Sequence, residues 1–391
     1  MADYKPLDDS FQTSKKNKMS EFQPFQMERY MSAYEQEVDY NLSESGVHPM
    51  LLRELLSIEN TSFDELLNTE INYAHANGIP QLRQNIARMY DGAGPDNVLV
   101  TVGAIEANFN SMSSVLKRGD EVVIMLPNYM QVWGVAKNLG YRIKTFSLKE
   151  ENNWAPDLEE LEEMVSENTK LIAICNPNNP TGYILKESEM DVIVNIAEKA
   201  NAWILADEVY AGAEQFTDTQ TPSFYGRYDK VIAVGSMSKA YGLPGLRTGW
   251  LVAPEKTVDQ IWARHEYTTL STTMLSNKLT ALALSEKVRP VIIQRTRDYI
   301  RKGYPILQEW MRQQGDIFTT IPPQAAAIAF IKYDLDINST ELAEQLIKEK
   351  SVLIIPGDHF GMDKYLRISY GLPEEYLLGG LARIQELIRT L

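Results

Sequence analysis

The chain has 391 residues, with 53 acidic against 38 basic side chains for a formal charge of -15, and a single cysteine, Cys175. Length sets a prior of two or three domains and allows a core of ample size. The charge argues against a general affinity for nucleic acid or anionic lipid, and one cysteine permits neither an intramolecular disulfide nor a multi-cysteine metal site. The histidines at 48, 75, 265 and 359 show no metal-ligand spacing, so no metal is expected.

Residues 1–20 read as a flexible polar leader without the apolar core of a signal peptide. The apolar run 325–331 is far too short to span a bilayer, so a cytoplasmic protein with no membrane partner is expected. Residues 21–60 read as a segment that joins a smaller unit later in the chain. A large domain is expected over 61–288. Within it Pro80 opens a helix with Leu82, Ile86 and Met89 on one face. Strands are predicted at 97–101, 121–125, 171–174, 203–206 and 231–234, near-continuous apolar runs separated by amphipathic helices. That pattern belongs to a mainly parallel sheet covered on both faces, an α/β architecture. Over 289–391 the texture changes to a long helix through 294–313, a strand at 325–331, a helix at 340–349, a strand at 352–355 and a last helix presenting Leu377, Leu381, Ile384 and Ile388. This is a smaller α+β domain.

Ligands of open α/β sheets sit beyond the carboxyl ends of the strands. Four such ends carry unusual residues. Thr101-Val102-Gly103-Ala104-Ile105-Glu106 turns into a helix whose first amides could hold a phosphate. Asn176-Pro177-Asn178-Asn179-Pro180-Thr181-Gly182 is a turn fixed by prolines and glycine, with amides free to bond a ring hydroxyl. Asp207-Glu208-Val209-Tyr210 offers an acid that either caps a helix or holds a protonated heterocyclic nitrogen. The fourth end, 236–250, sets Ser236 and Ser238 beside Lys239, with Arg247 between two glycine turns. An anionic, carbonyl-bearing cofactor would be gripped there by Arg247 and Ser236 and linked to Lys239 as an imine.

In this order and wording the motifs resemble those of the fold-type I pyridoxal-phosphate enzymes, the class I/II aminotransferases, over roughly residues 40 to 391. The resemblance implies a seven-stranded, mainly parallel sheet in the large domain, pyridoxal 5'-phosphate as cofactor, an amino-acid substrate and a homodimer with shared active sites. It implies that Lys239 is the imine-forming lysine and that Asp207 keeps the pyridine nitrogen protonated. Asn179 and Tyr210 are then the partners of the ring hydroxyl, Tyr129 the aromatic stacked on the ring, and Ala104, Ile105, Ser236 and Arg247 the phosphate cup. Tyr73 would reach the phosphate of the other subunit, and Arg367 would clamp the substrate's α-carboxylate. One departure is Pro323-Gln324-Ala325-Ala326-Ala327, where many relatives have glycines; its added methyl groups are expected to narrow the substrate side of the site.

The region before residue 50 bears on the reaction. Met27-Glu28-Arg29-Tyr30 and Asn41-Leu42-Ser43-Glu44-Ser45-Gly46-Val47-His48 resemble the start of the capreomycidine synthase-like arginine cyclases, as does 238–247. That branch implies a cyclodehydratase that eliminates water from a hydroxylated arginine-like amino acid and closes a cyclic guanidine of capreomycidine or enduracididine type. Gly46 then lies with the substrate, Glu28 is the anion for the guanidinium, and His48 donates or orients a proton to the departing hydroxyl. Glu106 is a weaker candidate for that acid. The alternative is a conventional aminotransferase with a polar or cationic amino donor. A cofactor-sensing DNA-binding regulator on the same fold is disfavoured, because the residues ahead of the first core helix show no helix-turn-helix pattern.

Overall fold

The computed structural model describes residues 22–59 and 62–391; the leader expected at 1–20 lies outside the described residues. In chain order its strands are β1 (Tyr40–Asn41), β2 (Val98–Thr101), β3 (Glu121–Leu126), β4 (Arg142–Lys149), β5 (Ala155–Pro156), β6 (Thr169–Cys175) and β7 (Trp203–Asp207). They continue with β8 (Val231–Ser236), β9 (Gly249–Val252), β10 (Phe318–Thr320), β11 (Ile328–Tyr333), β12 (Val352–Leu353), β13 (Ile355–Pro356) and β14 (Tyr365–Ser369).

The large sheet runs β2-β9-β8-β7-β6-β3-β4-β5. Its middle is parallel from β8 through β4, while β9 runs antiparallel to both β8 and β2. Burial on both faces explains the unbroken apolar runs: in β3, Val123 and Met125 enter one core cluster while Val122, Ile124 and Leu126 enter the other. The sheet has eight strands where seven were expected. The extra one is β5, two residues ending in Pro156 that pair antiparallel at the edge, the place where a missing N–H is tolerated.

A second sheet, β10-β11-β14-β13, is antiparallel throughout. It is packed by the helices Ser339–Lys350 and Glu374–Ile388, which bury Leu342, Leu346, Leu377, Leu381 and Ile384. Asn338 caps the first of these by accepting the N–H groups of Thr340 and Glu341. The helix Val288–Gln313 links the large sheet to this sheet. Residues before 60 return to the same region: β1 pairs parallel with β12, Tyr40 opposite Val352. The helix Gln26–Tyr34 that precedes β1 buries Met27 and Met31.

Candidate active site

A cavity of about 270 Å³ opens at the carboxyl ends of β6, β7 and β8, walled on one side by the helix Gln26–Tyr34 and the stretch after β1. Its lining includes Ala104, Ile105, Tyr129, Asn179, Asp207, Tyr210, Ser236, Lys239, Arg247, Arg367 and Glu28. Chain topology brings most of these together because each parallel strand delivers its last side chain and first loop to one edge, while Arg247 comes from the loop before β9, Arg367 from β14 and Glu28 from the helix Gln26–Tyr34.

Each position has a local cause. After β2, Gly103 adopts φ +75 and starts the helix Gly103–Val115, leaving the first amides of that helix beside the Arg247 guanidinium. Gly249 is required there too, since a β-carbon would overlap the backbone of Gly103 and Ala104. Of the turn asparagines, Asn176 accepts the Leu185 N–H (2.9 Å), and Asn178 bridges the Pro127 carbonyl (3.1 Å) and Thr181 (2.8 Å). That leaves Asn179 to face the cavity, where its carbonyl oxygen accepts from Arg367 Nη1 at 3.1 Å. Arg367, on β14, is 2% exposed, donates from Nη2 to the Ser43 carbonyl at 2.6 Å, and keeps a buried Nε without a partner. Burial pulls its basicity down, and Tyr210, Glu44 and Glu28 pull it back up.

Asp207 ends β7 and accepts from Asn108 Nδ2 (3.0 Å) and the Val209 N–H (3.3 Å). Burial pushes its carboxyl up, with Asn108, Val209 and Lys239 acting against that. Asn108 Oδ1 is itself buried and unpartnered. The Tyr210 hydroxyl donates to Ser45 Oγ at 2.8 Å, and burial holds that phenol well above its ordinary range. Tyr129 packs on Phe25, ring centroids 5.1 Å apart, and donates to Glu28 Oε1 at 2.8 Å. Lys239 Nζ lies 3.9 Å from Glu44 Oε2. Gly46 packs on the backbone under Lys239: a β-carbon there would come within 2.9 Å of the Ser238 carbonyl oxygen.

Three expectations do not hold in the geometry. His48 is exposed and does not line the cavity. Its N–H bonds the Gly371 carbonyl (2.7 Å), its carbonyl accepts from Arg295 (2.9 Å), and its ring lies 6.1 Å from that of Tyr299, so the chain has already left the site. Glu106 is tied into a buried network with Val102, His265, Thr268 and Thr269 and also does not line the cavity. The alanines 325–327 do not narrow it either: they are fully buried, with the Ala325 and Ala326 N–H groups bonded to the carbonyls of Gly182 and Ala213. Tyr73 lies outside the cavity, 83% exposed and bridged through its backbone to Thr273.

Sequence reasoning missed Asn108, and it missed two carboxylates. Glu35 and Glu44 line the cavity with Glu28 and Ser32. Residues 28, 32 and 35 share one face of a helix, a spacing visible in the sequence. Burial, then the charges of Glu44 and Glu28, push the Glu35 carboxyl up.

The profile of the family "Aminotransferase class I and II" matches residues 62–384, most of the chain. The chain belongs to the class I and II aminotransferase family. Capreomycidine synthase of Streptomyces vinaceus is 29% identical over 93% of this chain and 92% of its own length. A PLP-dependent aminotransferase from Streptococcus suis superposes with a TM-score of 0.89 at 31% identity, over 95% of this chain and 99% of that one. The PLP-dependent cyclase OrfR has the same fold, TM-score 0.85 at 22% identity, over 97% and 99%.

A class I and II aminotransferase fold of this kind is a PLP-dependent enzyme. The residues present suit that cofactor. Gly103 and Gly249 leave a cradle next to Arg247 that a β-carbon would fill. Asp207 is a buried acid facing the cavity, and Asn108 keeps an unpartnered oxygen beside it. Lys239 and Arg367 line the same cavity.

Proposed function

We propose that this aminotransferase-family enzyme is a cyclodehydratase: it eliminates water from a hydroxylated arginine-like amino acid and closes a cyclic guanidine. The observation that carries the reading is the composition of the cavity wall. A buried Arg367 suited to an α-carboxylate shares one cavity with three carboxylates, Glu28, Glu35 and Glu44. A substrate with an anionic head and a cationic tail satisfies both ends, whereas the side chain of an acidic amino donor would meet like charge. Capreomycidine synthase, similar over nearly its whole length, supports the same chemistry.

Pyridoxal phosphate, when bound, supplies an electron sink that acidifies the substrate's α-carbon. The cup at Ala104, Ile105, Ser236 and Arg247 would hold its phosphate, Asp207 would hold a proton on its ring nitrogen, Asn179 and Tyr210 would bond its ring hydroxyl, and Tyr129 would cover its face. Lys239 would take the α-proton. Arg367 would present its Nη and Nε hydrogens to the α-carboxylate, a bidentate match. Gly46 lets the Ser45–Val47 stretch lie close against Lys239. The carboxylate wall would orient the guanidinium toward the carbon losing its hydroxyl, and Glu35, the wall residue whose carboxyl is pushed up, would carry the proton that leaves with it. In sum one C–O bond breaks, one C–N bond forms, and every nitrogen is retained. Exposed Tyr73 would serve the site of a second copy, so a homodimer is part of this reading.

Incubation of the holoenzyme with β- and γ-hydroxyarginine, followed by mass spectrometry and NMR, tests it. Loss of one water with all nitrogens kept is expected. A keto acid with accumulating pyridoxamine phosphate would establish the second reading, a transaminase for a cationic amino donor, for which Lys239, Asp207 and Arg367 also suffice.

A further inference from the structure

Beside the phosphate cup lies a buried charged network that none of these steps uses. Glu106 stands in the first turn of the helix Gly103–Val115, and His265 near the end of the helix Glu255–Thr268. They are 8% and 0% exposed. One Glu106 oxygen accepts the Val102 N–H at 2.7 Å. The other meets His265 Nδ1 at 2.9 Å, the Thr269 hydroxyl at 2.7 Å, the Thr268 hydroxyl and, at 3.3 Å, the Asn110 amide. A carboxyl accepting so many donors is held ionised. The second His265 nitrogen, Nε2, faces the Ala76 carbonyl oxygen at 3.0 Å. The imidazole is thus held between a carboxylate on one ring nitrogen and a backbone carbonyl on the other.

What this pair joins is the point of interest. Through Val102 it holds the entry to Gly103 and the cup. Through Ala76 it holds the stretch that carries Tyr73, itself bridged to Thr273. Through Thr268 and Thr269 it holds the turn at Leu270, where φ is +66. Ile71, Tyr73, Tyr267 and Leu270 around these anchor points are 89%, 83%, 92% and 45% exposed, a large apolar area for one copy to leave in water. A buried, multiply hydrogen-bonded carboxylate–imidazole pair fixes the relative geometry of the segments it connects, since removing either partner leaves buried polar groups unpaired.

We propose that Glu106 and His265 are positioning residues that couple cofactor retention to the pairing of two copies, because one buried hydrogen-bonded pair sets both the phosphate cup and the segment presenting Tyr73. This rests on the cup and Tyr73 assignments proposed above. The test uses holoenzyme carrying Glu106→Gln, His265→Gln or both, with three readouts: cofactor dissociation from the visible absorption band, the phosphorus NMR shift of the bound phosphate, and self-association by analytical ultracentrifugation with and without cofactor. Each single variant should weaken cofactor binding by about tenfold and shrink the effect of cofactor on self-association, with the double variant no worse than the poorer single. A folded Glu106→Gln protein with native phosphorus shift, cofactor affinity and linkage overturns the proposal. Should the Glu106 and His265 variants fail to fold, Thr269→Val removes one donor and should move the same readouts in the same direction by about threefold; no movement overturns it equally. Arg247→Ala separates the premise from the inference. It should release cofactor while leaving self-association of the apoprotein unchanged, and unaltered cofactor affinity in that variant would show that the cup assignment has failed.

Discussion

Glu208 and Glu106 are both buried carboxyls next to the site, and they respond to pH in opposite directions. Glu208 follows Asp207 but points to the far face of the sheet, where it accepts from the Ser223 hydroxyl (2.9 Å) and the Phe224 N–H (2.8 Å). Burial outweighs these bonds and raises its pKa from 4.5 to about 8. A raised carboxyl stabilises the fold fully below 4.5 and loses that contribution as pH climbs through about 8. For Glu106 burial acts upward, but His265, Thr268 and Val102 prevail and lower it to about 2. Its contribution is full above 4.5 and is lost as pH falls toward about 2. Urea unfolding across pH should therefore show Glu208→Gln flattening the decline between pH 4.5 and about 8 and Glu106→Gln the one between about 2 and 4.5; the reverse assignment would contradict the burial argument. In the cavity, Glu28→Gln and Glu44→Gln should each weaken binding of arginine by about tenfold and leave citrulline unaffected, as loss of a facing charge requires. Calorimetry distinguishes the two ligands, and equal losses would remove the cation role. Lys239, Asp207 and Asn179 were legible as candidates because motifs at strand ends are placed by topology, whereas Arg367, inside β14, came only from the family resemblance. His48 was also named, but its departure from the site was not legible, because three residues after Ser45 bonds Tyr210 the chain turns away to Gly371, and sequence spacing does not encode that direction.

At the scale of elements, the strands buried on both faces were readable as apolar runs. The run at 325–331 shows the limit of that signal. Only Ile328 onward is strand; Ala325 makes a lone bridge to Glu214, and Ala326, at φ +71, sends its N–H to Ala213, so the first three residues bend away instead of extending the strand. Local apolarity could not tell a buried turn from a buried strand. The helix Val288–Gln313 depends on a close approach of a different kind. A β-carbon at Gly303 would overlap the Tyr370 carbonyl oxygen, just past β14 and its Arg367. Gly303→Ala should cost about 1–3 kcal/mol through overpacking, in spite of alanine's better helix propensity. Thermal unfolding measures it, and a neutral or stabilising result would show that helix and strand are further apart than described.

For the whole molecule, sequence patterns are least informative about contacts between copies, because an exposed Tyr73 or Tyr267 reads the same whether it faces water or a partner. Mixing Lys239→Ala protein with Tyr73→Ala protein exposes the difference. If Tyr73 serves the other copy, each mixed pair regains one intact site, and activity returns to two inactive preparations; continued inactivity after subunit exchange would place Tyr73 in its own site. The pairing of β1 with β12 bears on the order in which the enzyme is assembled. Tyr40 and Leu42 bond Ser351 and Leu353, and the Ser43 carbonyl that orients Arg367 is 324 residues from it along the chain. At roughly 5–20 residues per second of translation, the segment holding Glu28 and Glu44 waits tens of seconds after leaving the ribosome for the strand that seats it. The nascent chain thus completes the large sheet well before the carboxylate-lined wall is fully seated, and a chain stalled short of residue 351 can hold that wall only through contacts such as Glu28 with Tyr129 and Ser45 with Tyr210, without its strand partner.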